Sequence, residues 1–398
     1  MFESLLAWLS QGALDLSVGA IAVITLVMVQ ITIASVTIYL HRSQAHRGVD
    51  LHPVVSHFFR LWLWFTTGMV TKDWVSVHRK HHAKCETEED PHSPQILGIR
   101  KLMLEGAELY RREADKAETL QRYGHGTPDD WLERRVYSRY RYLGIVLMLG
   151  IDLALFGALG LTVWAVQMLW IPFWAAGVIN GMAHYRGYRN YETADAATNL
   201  WPLAIWIGGE ELHNNHHAFP SSAKFSSRRW EFDIGWMYIR TLSALGLARV
   251  KKVAPKPRIE PGKELIDLDT LRAVVVGRLH VMSHYARDVV LPVARQALAD
   301  SGAPRRAMRK VKNLLVRDER QLDDKARGEL ARVLRNHREL ETVYQFRERL
   351  QALWSRTTAN HEALIQGLKE WCVQAEATGI HGLQNFARSL RGYSLEAS

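Results

Sequence analysis

Nine of the 18 histidines in this 398-residue chain fall in four short clusters, and their spacing is that of metal ligands. His41 and His46 stand in HRSQAH, His78, His81 and His82 in HRKHH, His184 alone in NGMAHYRGY, and His213, His216 and His217 in HNNHH. In a helix, positions i, i+3 and i+4 share a face, so His78, His81 and His82 can converge, and so can His213, His216 and His217. Neighbours such as His81 and His82 diverge by about 100° of rotation and can reach two different ions. His41 and His46 differ by about 140° around an α-helix and are not expected to share a face. Either the helix ends there or the two approach from different sides. Neutral imidazole suits iron, copper, zinc or nickel rather than magnesium or calcium. Nine imidazoles exceed the needs of one ion and match two ions with four or five nitrogens each. The nearby carboxylates Glu86, Glu88, Glu89, Asp90, Glu210 and Glu211 are expected to orient imidazoles through the second ring nitrogen. A lone histidine is ordinarily a core or surface residue, and His52, His57, His125, His280, His284, His337, His361 and His381 are read so.

The elements that must position these clusters are apolar. Val18 to Leu40 carries no charge and is long enough to cross a bilayer, which takes about 20 residues. No basic segment precedes it, so it reads as a transmembrane helix and not a cleaved signal peptide. Leu51 to Val70 is weaker, holding His57 and Arg60 among aromatics. Leu143 to Ala183 is about two spans long, with Gly157 and Gly160 near its middle, and predicts a tight helical hairpin. Asp152 and Gln167 interrupt it, and polar groups inside a membrane face protein or water. No Lys or Arg occurs before Arg42, whereas Arg42–Arg141 and Arg186–Arg240 are rich in them. Positive loops stay cytoplasmic, which puts Arg42, the loop 83–141 and everything after Arg186 on that side. A full span at Leu51–Val70 would put the flanking His clusters on opposite sides. That stretch is therefore read as re-entrant or interfacial.

The balance of composition changes after residue 250. The chain as a whole is 47% hydrophobic and 23% charged, with a net charge of +10, which excludes a disordered, collagen-like or disulfide-rich chain. Cys85 and Cys372 cannot build a disulfide framework. Residues 251–263 (KKVAPKPRIEPGK) read as a linker, and 264–398 as soluble helices with Arg-rich faces. From 251 to 398 there are 27 basic and 18 acidic residues, so most of the positive charge lies there. No nucleic-acid motif is visible, and no nucleic-acid partner is expected. The predicted fold is all-α: an integral membrane helical domain over 1–250 with a cytoplasmic His-rich metal cap, a linker at 251–263 and a soluble basic helical extension over 264–398.

Over roughly residues 10–245 the chain resembles the membrane fatty-acid desaturases, in particular the acyl-CoA delta-9 (stearoyl-CoA-type) branch of bacterial type. The residues that carry the resemblance are HRSQAHR (41–47), Trp74, HRKHHAKCETEEDPHSP (78–94), NGMAHYRGY (180–188) and HNNHHAFP (213–220). It implies a di-iron centre held by the nine histidines, with Asn180, four residues before His184, contacting one iron through water. It implies an oxidoreductase of lipid metabolism that uses dioxygen and two electrons to leave a cis double bond in a fatty acyl chain. Membrane alkane hydroxylases are similar but carry HxxxHH in the middle box, whereas His78–His82 reads HxxHH. Eukaryotic members of the acyl-CoA branch have Arg and Asp directly before that box. Ser76 and Val77 stand here instead, so an acyl-lipid substrate stays open beside acyl-CoA. His52 opens HPVV, which lacks the glycines of a haem-binding His-Pro-Gly-Gly, so electrons are expected from a separate donor such as a ferredoxin or an oxidoreductase. A multi-pass protein of the inner (cytoplasmic) membrane follows, in contact with membrane lipid and with its active site on the cytoplasmic side. The competing readings are a di-iron hydroxylase, an acyl-lipid desaturase, and a zinc-binding membrane protein without catalysis.

Overall fold

The structure, a computed structural model, describes residue 8 and residues 10–300, 305–355 and 360–395. The chain divides into two compact units, Met1–Arg189 with Asp195–Ala254, and Asn190–Ala194 with Pro255–Ser398.

In the first unit, helix α1 runs from Val18 to Ala45. The Ser17 side chain caps its start by accepting from the Ala20 N–H at 3.2 Å. Its sequence is rich in β-branched residues, which are mediocre helix formers in water. In hydrocarbon, a helix is one of the few ways to satisfy every backbone group, and it wins regardless. Its 28 residues make about 42 Å of helix, against a hydrocarbon core of about 30 Å. His41, near its end, therefore lies past the apolar layer. Strand β1 (Val49–Leu51) follows, then α2 (Pro53–Thr66), α3 (Thr71–Lys84) and α4 (Ile99–Ala114). Helix α2 covers most of the Leu51–Val70 stretch, and its 14 residues reach only about 21 Å, short of a perpendicular span.

The expected hairpin is present as α5 (Leu143–Phe156) and α6 (Leu159–Met182). Its turn depends on both glycines. Gly157 has φ 63°, and a Cβ on Gly160 would sit 2.1 Å from the Asp152 carbonyl oxygen. Gln167 donates to Asp152 Oδ2 at 2.9 Å, so the two polar interruptions face each other inside the hairpin. Among the described residues two helices, α1 and α6, are long and apolar enough to cross a membrane. The short helix α7 (His213–Ala218) and α8 (Ile234–Ala244) follow in the same unit.

The fold is mostly helical rather than all-α. Besides β1, the strands are β2 (Leu203–Ala204), β3 (Phe232–Asp233), β4 (Ala248–Val250), β5 (Pro257–Ile259) and β6 (Tyr393–Leu395). They form three two-stranded ladders, β1 with β4 antiparallel, β2 with β3 parallel and β5 with β6 antiparallel. Runs of two or three residues are too short for periodicity to reveal. In the second unit β5 falls inside the stretch read as a linker, because Pro257–Ile259 pairs with Tyr393–Leu395. Helices from Leu268–Val276 to His381–Arg391 pack there around the buried Tyr285, Trp371 and Phe386.

Candidate metal centre

The first group of imidazoles is built by α1, α3 and α7. From Ser35 the winding of α1 widens to a π-helix, and the N–H of His46 bonds the His41 carbonyl at 3.0 Å. A hydrogen bond from residue i+5 back to i closes a wider turn, so His46 returns over His41, with ring centroids 4.8 Å apart. The two do share a face; the expected divergence assumed 3.6 residues per turn. His78 and His82, four apart on α3, point to the same place. The Nε2 atoms of His46 and His78 are 2.8 Å apart. His216 Nε2 lies 3.0 Å from that of His41 and 2.9 Å from that of His82. The ligand atoms of His41, His46, His78, His82 and His216 all lie within 4.8 Å of one another. Trp74 stacks on His78 at 4.8 Å and forms one wall.

The second group adjoins the first, with the His82 and His217 rings stacked at 4.4 Å. It gathers His81, His184 and His217 with Cys85, whose ligand atoms also lie within 4.8 Å. His213 joins through its Nε2, 3.0 Å from that of His184. The triplets therefore do not converge on one point. In each box the i, i+4 pair stays together and the middle histidine crosses over: His81 leaves His78 and His82, and His216 leaves His213 and His217. Helix rotation explains this, because an i, i+4 pair is about 40° apart while adjacent residues differ by about 100°. All nine sequence-predicted histidines are thus brought together. Asn180 is half-buried near the end of α6, four residues before His184.

Carboxylates hold the outer ring nitrogens. His41 Nδ1 pairs with Glu210, His81 Nδ1 with Asp90 at 3.0 Å, His184 Nδ1 with Glu86 at 3.2 Å and His217 Nδ1 with Asp195 at 3.0 Å. Three of the six expected carboxylates do otherwise. Glu88 is exposed, Glu89 pairs with Lys84, and Glu211 accepts the backbone N–H groups of Trp206, Ile207 and Gly209. Asp195, eleven residues after His184 in a loop, was not singled out by the sequence reading. His92 was also passed over; it stacks on His81 at 4.3 Å, and its backbone N–H donates to Asp90 at 3.1 Å. Its only cue was its place in the Asp-Pro-His run beside the middle box.

Burial pushes the His46 imidazole down to about 3 and His184 to about 4, the latter despite Glu86. Burial, followed by neighbouring imidazoles, holds His78, His82, His213 and His216 well below the ordinary value. Neutral rings keep a lone pair for a ligand bond. Inside the cluster these lone pairs conflict. His216 Nε2 faces two other Nε2 atoms at once, and one N–H cannot serve both. The buried Nδ1 atoms of His213 and His216 and Nε2 of His217 have no hydrogen-bond partner. A cation between the rings removes the conflict. Nitrogens about 2.1 Å from one ion and at right angles stand about 3.0 Å apart, the spacing found here. The donor set therefore fits two nitrogen-ligated transition-metal ions.

Buried polar contacts fix the backbone beneath the cluster. Arg42, next to His41, makes a bidentate pair with Asp233 at 2.8 and 3.2 Å and donates to the carbonyls of Ala223 and Gly208. Its guanidinium lies over Phe225, whose ring also meets His216 at 4.7 Å. Asn215, inside HNNHH, is held by Asn199 and Glu231.

A helical membrane scaffold carrying two adjoining imidazole groups defines a class, and comparison with known proteins names it. Residues 17–240 match the fatty acid desaturase family, and the chain belongs to it. It is 31% identical over 218 residues to delta-9 acyl-lipid desaturase 1 of Arabidopsis thaliana, covering 54% of this chain and 69% of that one. It is 30% identical over 223 residues to the sn-1 stearoyl-lipid 9-desaturase of Anabaena variabilis, covering 56% and 79%. An acyl-CoA 5-desaturase of Anemone leveillei is 34% identical over 229 residues, covering 54% and 67%. Two of these names specify an acyl or stearoyl lipid and one an acyl-CoA, so the likeness defines a fatty acid desaturase family rather than its acyl-CoA branch. Residues 271–397, for which the sequence suggested no counterpart, match a transposase family.

Proposed function

We propose that this chain is an oxygen-dependent fatty acyl desaturase that places a cis double bond, of delta-9 type, in a saturated acyl chain. In this reading His41, His46, His78, His82 and His216 hold one iron. His81, His184, His213 and His217 hold the other, with Asn180 reaching it through water. The observation that carries the reading is the gathering of nine imidazoles from four chain segments into two adjoining groups. Bound iron supplies the dioxygen activation that no side chain can provide for an unactivated C–H bond. The chain's own residues do the rest. Glu210, Asp90, Glu86 and Asp195 fix the tautomer and ring angle of four histidines, and Trp74 and Phe225 exclude water from one side. The reaction takes dioxygen, two electrons and two protons and leaves the alkene and two waters. The electrons come from a separate donor such as a ferredoxin or an oxidoreductase. Residues 1–250 form the catalytic domain of the inner membrane, with the site on the cytoplasmic side, and 264–398 form a separate extension.

Ser76 and Val77 support an acyl-lipid substrate over acyl-CoA. Both side chains are buried, and the Ser76 hydroxyl donates back to the Lys72 carbonyl at 2.6 Å, so neither can meet a charged head group. Expression in a host lacking the activity, followed by locating the double bond in its lipids, tests the function. Products heavier by one oxygen would mean a hydroxylase instead. Parallel assays of membrane lipid and acyl-CoA with the purified protein separate the two head groups.

A further inference from the structure

Between His184 and His213 the chain makes an excursion whose tip, Asn190–Ala194, is part of the second unit. Its base is closed by Tyr188 and Asn199, whose backbone N–H groups donate to each other's carbonyls at 2.8 and 2.7 Å. Arg189 adds bonds to the Asp195 and Ala197 carbonyls at 2.9 and 2.8 Å. The returning limb serves the second imidazole group. Asp195 holds His217 Nδ1 at 3.0 Å, and the Ala196 N–H donates to both oxygens of Glu86, the partner of His184. The tip itself is held within the second unit. Tyr191 is buried there, with its ring edge-on to His280 at 5.0 Å and its hydroxyl 3.3 Å from His280 Nδ1. The Ser283 hydroxyl donates to the Asn190 carbonyl at 2.9 Å, and Gln321 Nε2 donates to the Ala194 carbonyl at 2.5 Å. His280 and Ser283 stand three apart on one face of the helix Arg278–Tyr285, and Gln321 ends the short turn Glu319–Gln321. The C-terminal extension thus grips both ends of the tip. The carbonyl that Gln321 grips belongs to the peptide group joining Ala194 to Asp195. A peptide group is planar, so fixing that oxygen fixes the direction in which Asp195 begins.

We propose that the C-terminal extension serves the metal centre: by clamping Asn190–Ala194 it fixes Asp195, and through Asp195 the ring of His217. Gln321 and Ser283 are then positioning residues for the second ion and not for the first, whose His41 is held by Glu210 outside this segment. This rests on the reading of the cluster as a two-metal site. With a loose tip, ordering Asp195 costs chain entropy each time the ion binds. With a clamped tip that entropy is already lost on folding, so the carboxylate waits in place.

The test uses the full chain loaded with cobalt(II), with the affinity of each of the two ions read by competition with a chelator. The ion that Asp195→Ala weakens is the second. Gln321→Ala combined with Ser283→Ala should weaken that ion about 3–10-fold and leave the other unchanged. Added to Asp195→Ala, the same two changes should cost nothing more, because the residue they act through is gone. Lys310→Ala, at an exposed side chain of the same unit paired with Glu329, should leave both ions as they are. Unchanged affinity in the combined variant, an equal loss at both ions, a similar loss in Lys310→Ala, or losses that multiply with Asp195→Ala would each overturn the proposal and leave the two-metal reading standing. So would an Asp195→Ala chain that holds both ions as tightly as before. Gln321→Ala alone, at a half-buried side chain, carries the same test should the combined variant fail to fold. A chain that retains no metal, or one ion only, would sink the two-metal reading, and the proposal with it.

Discussion

Replacing Asp233 by Ala strikes the contact that ties the first His box to the start of α8. Arg42 and Asp233 are both wholly removed from solvent, joined by bonds of 2.8 and 3.2 Å. Removing one partner of such a pair costs about 3–5 kcal/mol, because a buried charge is left without its counter-ion. Asp233 also caps α8 by accepting from the Trp236 N–H at 2.9 Å, worth about 1 kcal/mol. It further accepts from the Phe225 N–H at 2.7 Å. The Ala223 and Gly208 carbonyls stay on the guanidinium and offset part of the loss. A net loss of about 5 kcal/mol is expected, a large share of the 5–15 kcal/mol that ordinarily holds a protein folded. For a unit of this size that lowers the thermal midpoint by about 10–20 °C. Bound metal should fall as well, because the Gly208 carbonyl that Arg42 grips lies two residues before Glu210, the partner of His41. Asp233→Asn retains the cap and loses the charge, and should fall between. The assay is tryptophan fluorescence on heating the detergent-purified chain, with metal counted after dialysis. A midpoint for Asp233→Ala within about 2 °C of the unmodified protein would refute the reasoning, since that is under 1 kcal/mol.

Other consequences can be measured directly. His81→Ala and His216→Ala, one from each imidazole group, should each abolish desaturation and lower bound iron; full activity in either contradicts the ligand assignment. Asp195→Ala should weaken metal binding about 10–100-fold by freeing the His217 ring, measured by competition with a chelator. An unchanged affinity would show that Asp195 does not orient that ring. Burial pushes the Cys372 thiol up to about 12, so the folded protein keeps it protonated where an unfolded chain ionises it, near pH 8.5. Its contribution to stability is complete below about pH 8.5 and is lost as the pH rises toward 12. Native protein at pH 9 should therefore resist alkylation at Cys372, and urea should release it; rapid alkylation of the native form would contradict the burial.

The four His boxes, the uncharged first span, the hairpin with its two glycines and the basic extension could all be read from residue order. Each depends on local periodicity or on composition, and these act over a few residues whatever the rest of the chain does. The divergence of His81 from His82 follows from helix rotation as well, whereas His78 and His81, expected to share a face, part in the structure. Other features waited on the tertiary structure. The π-helical winding that turns His46 back over His41 has no sequence signature at that spacing. Asp195 joins the cluster because the loop after His184 folds back onto it, and His92 because the chain after α3 does, while Glu88, Glu89 and Glu211 make no contact with an imidazole despite lying as close in sequence. A carboxylate finds its imidazole through three-dimensional proximity, and single-chain spacing cannot encode that. The same holds for Arg42 and Asp233, 191 positions apart, whose burial together makes the pair costly to break.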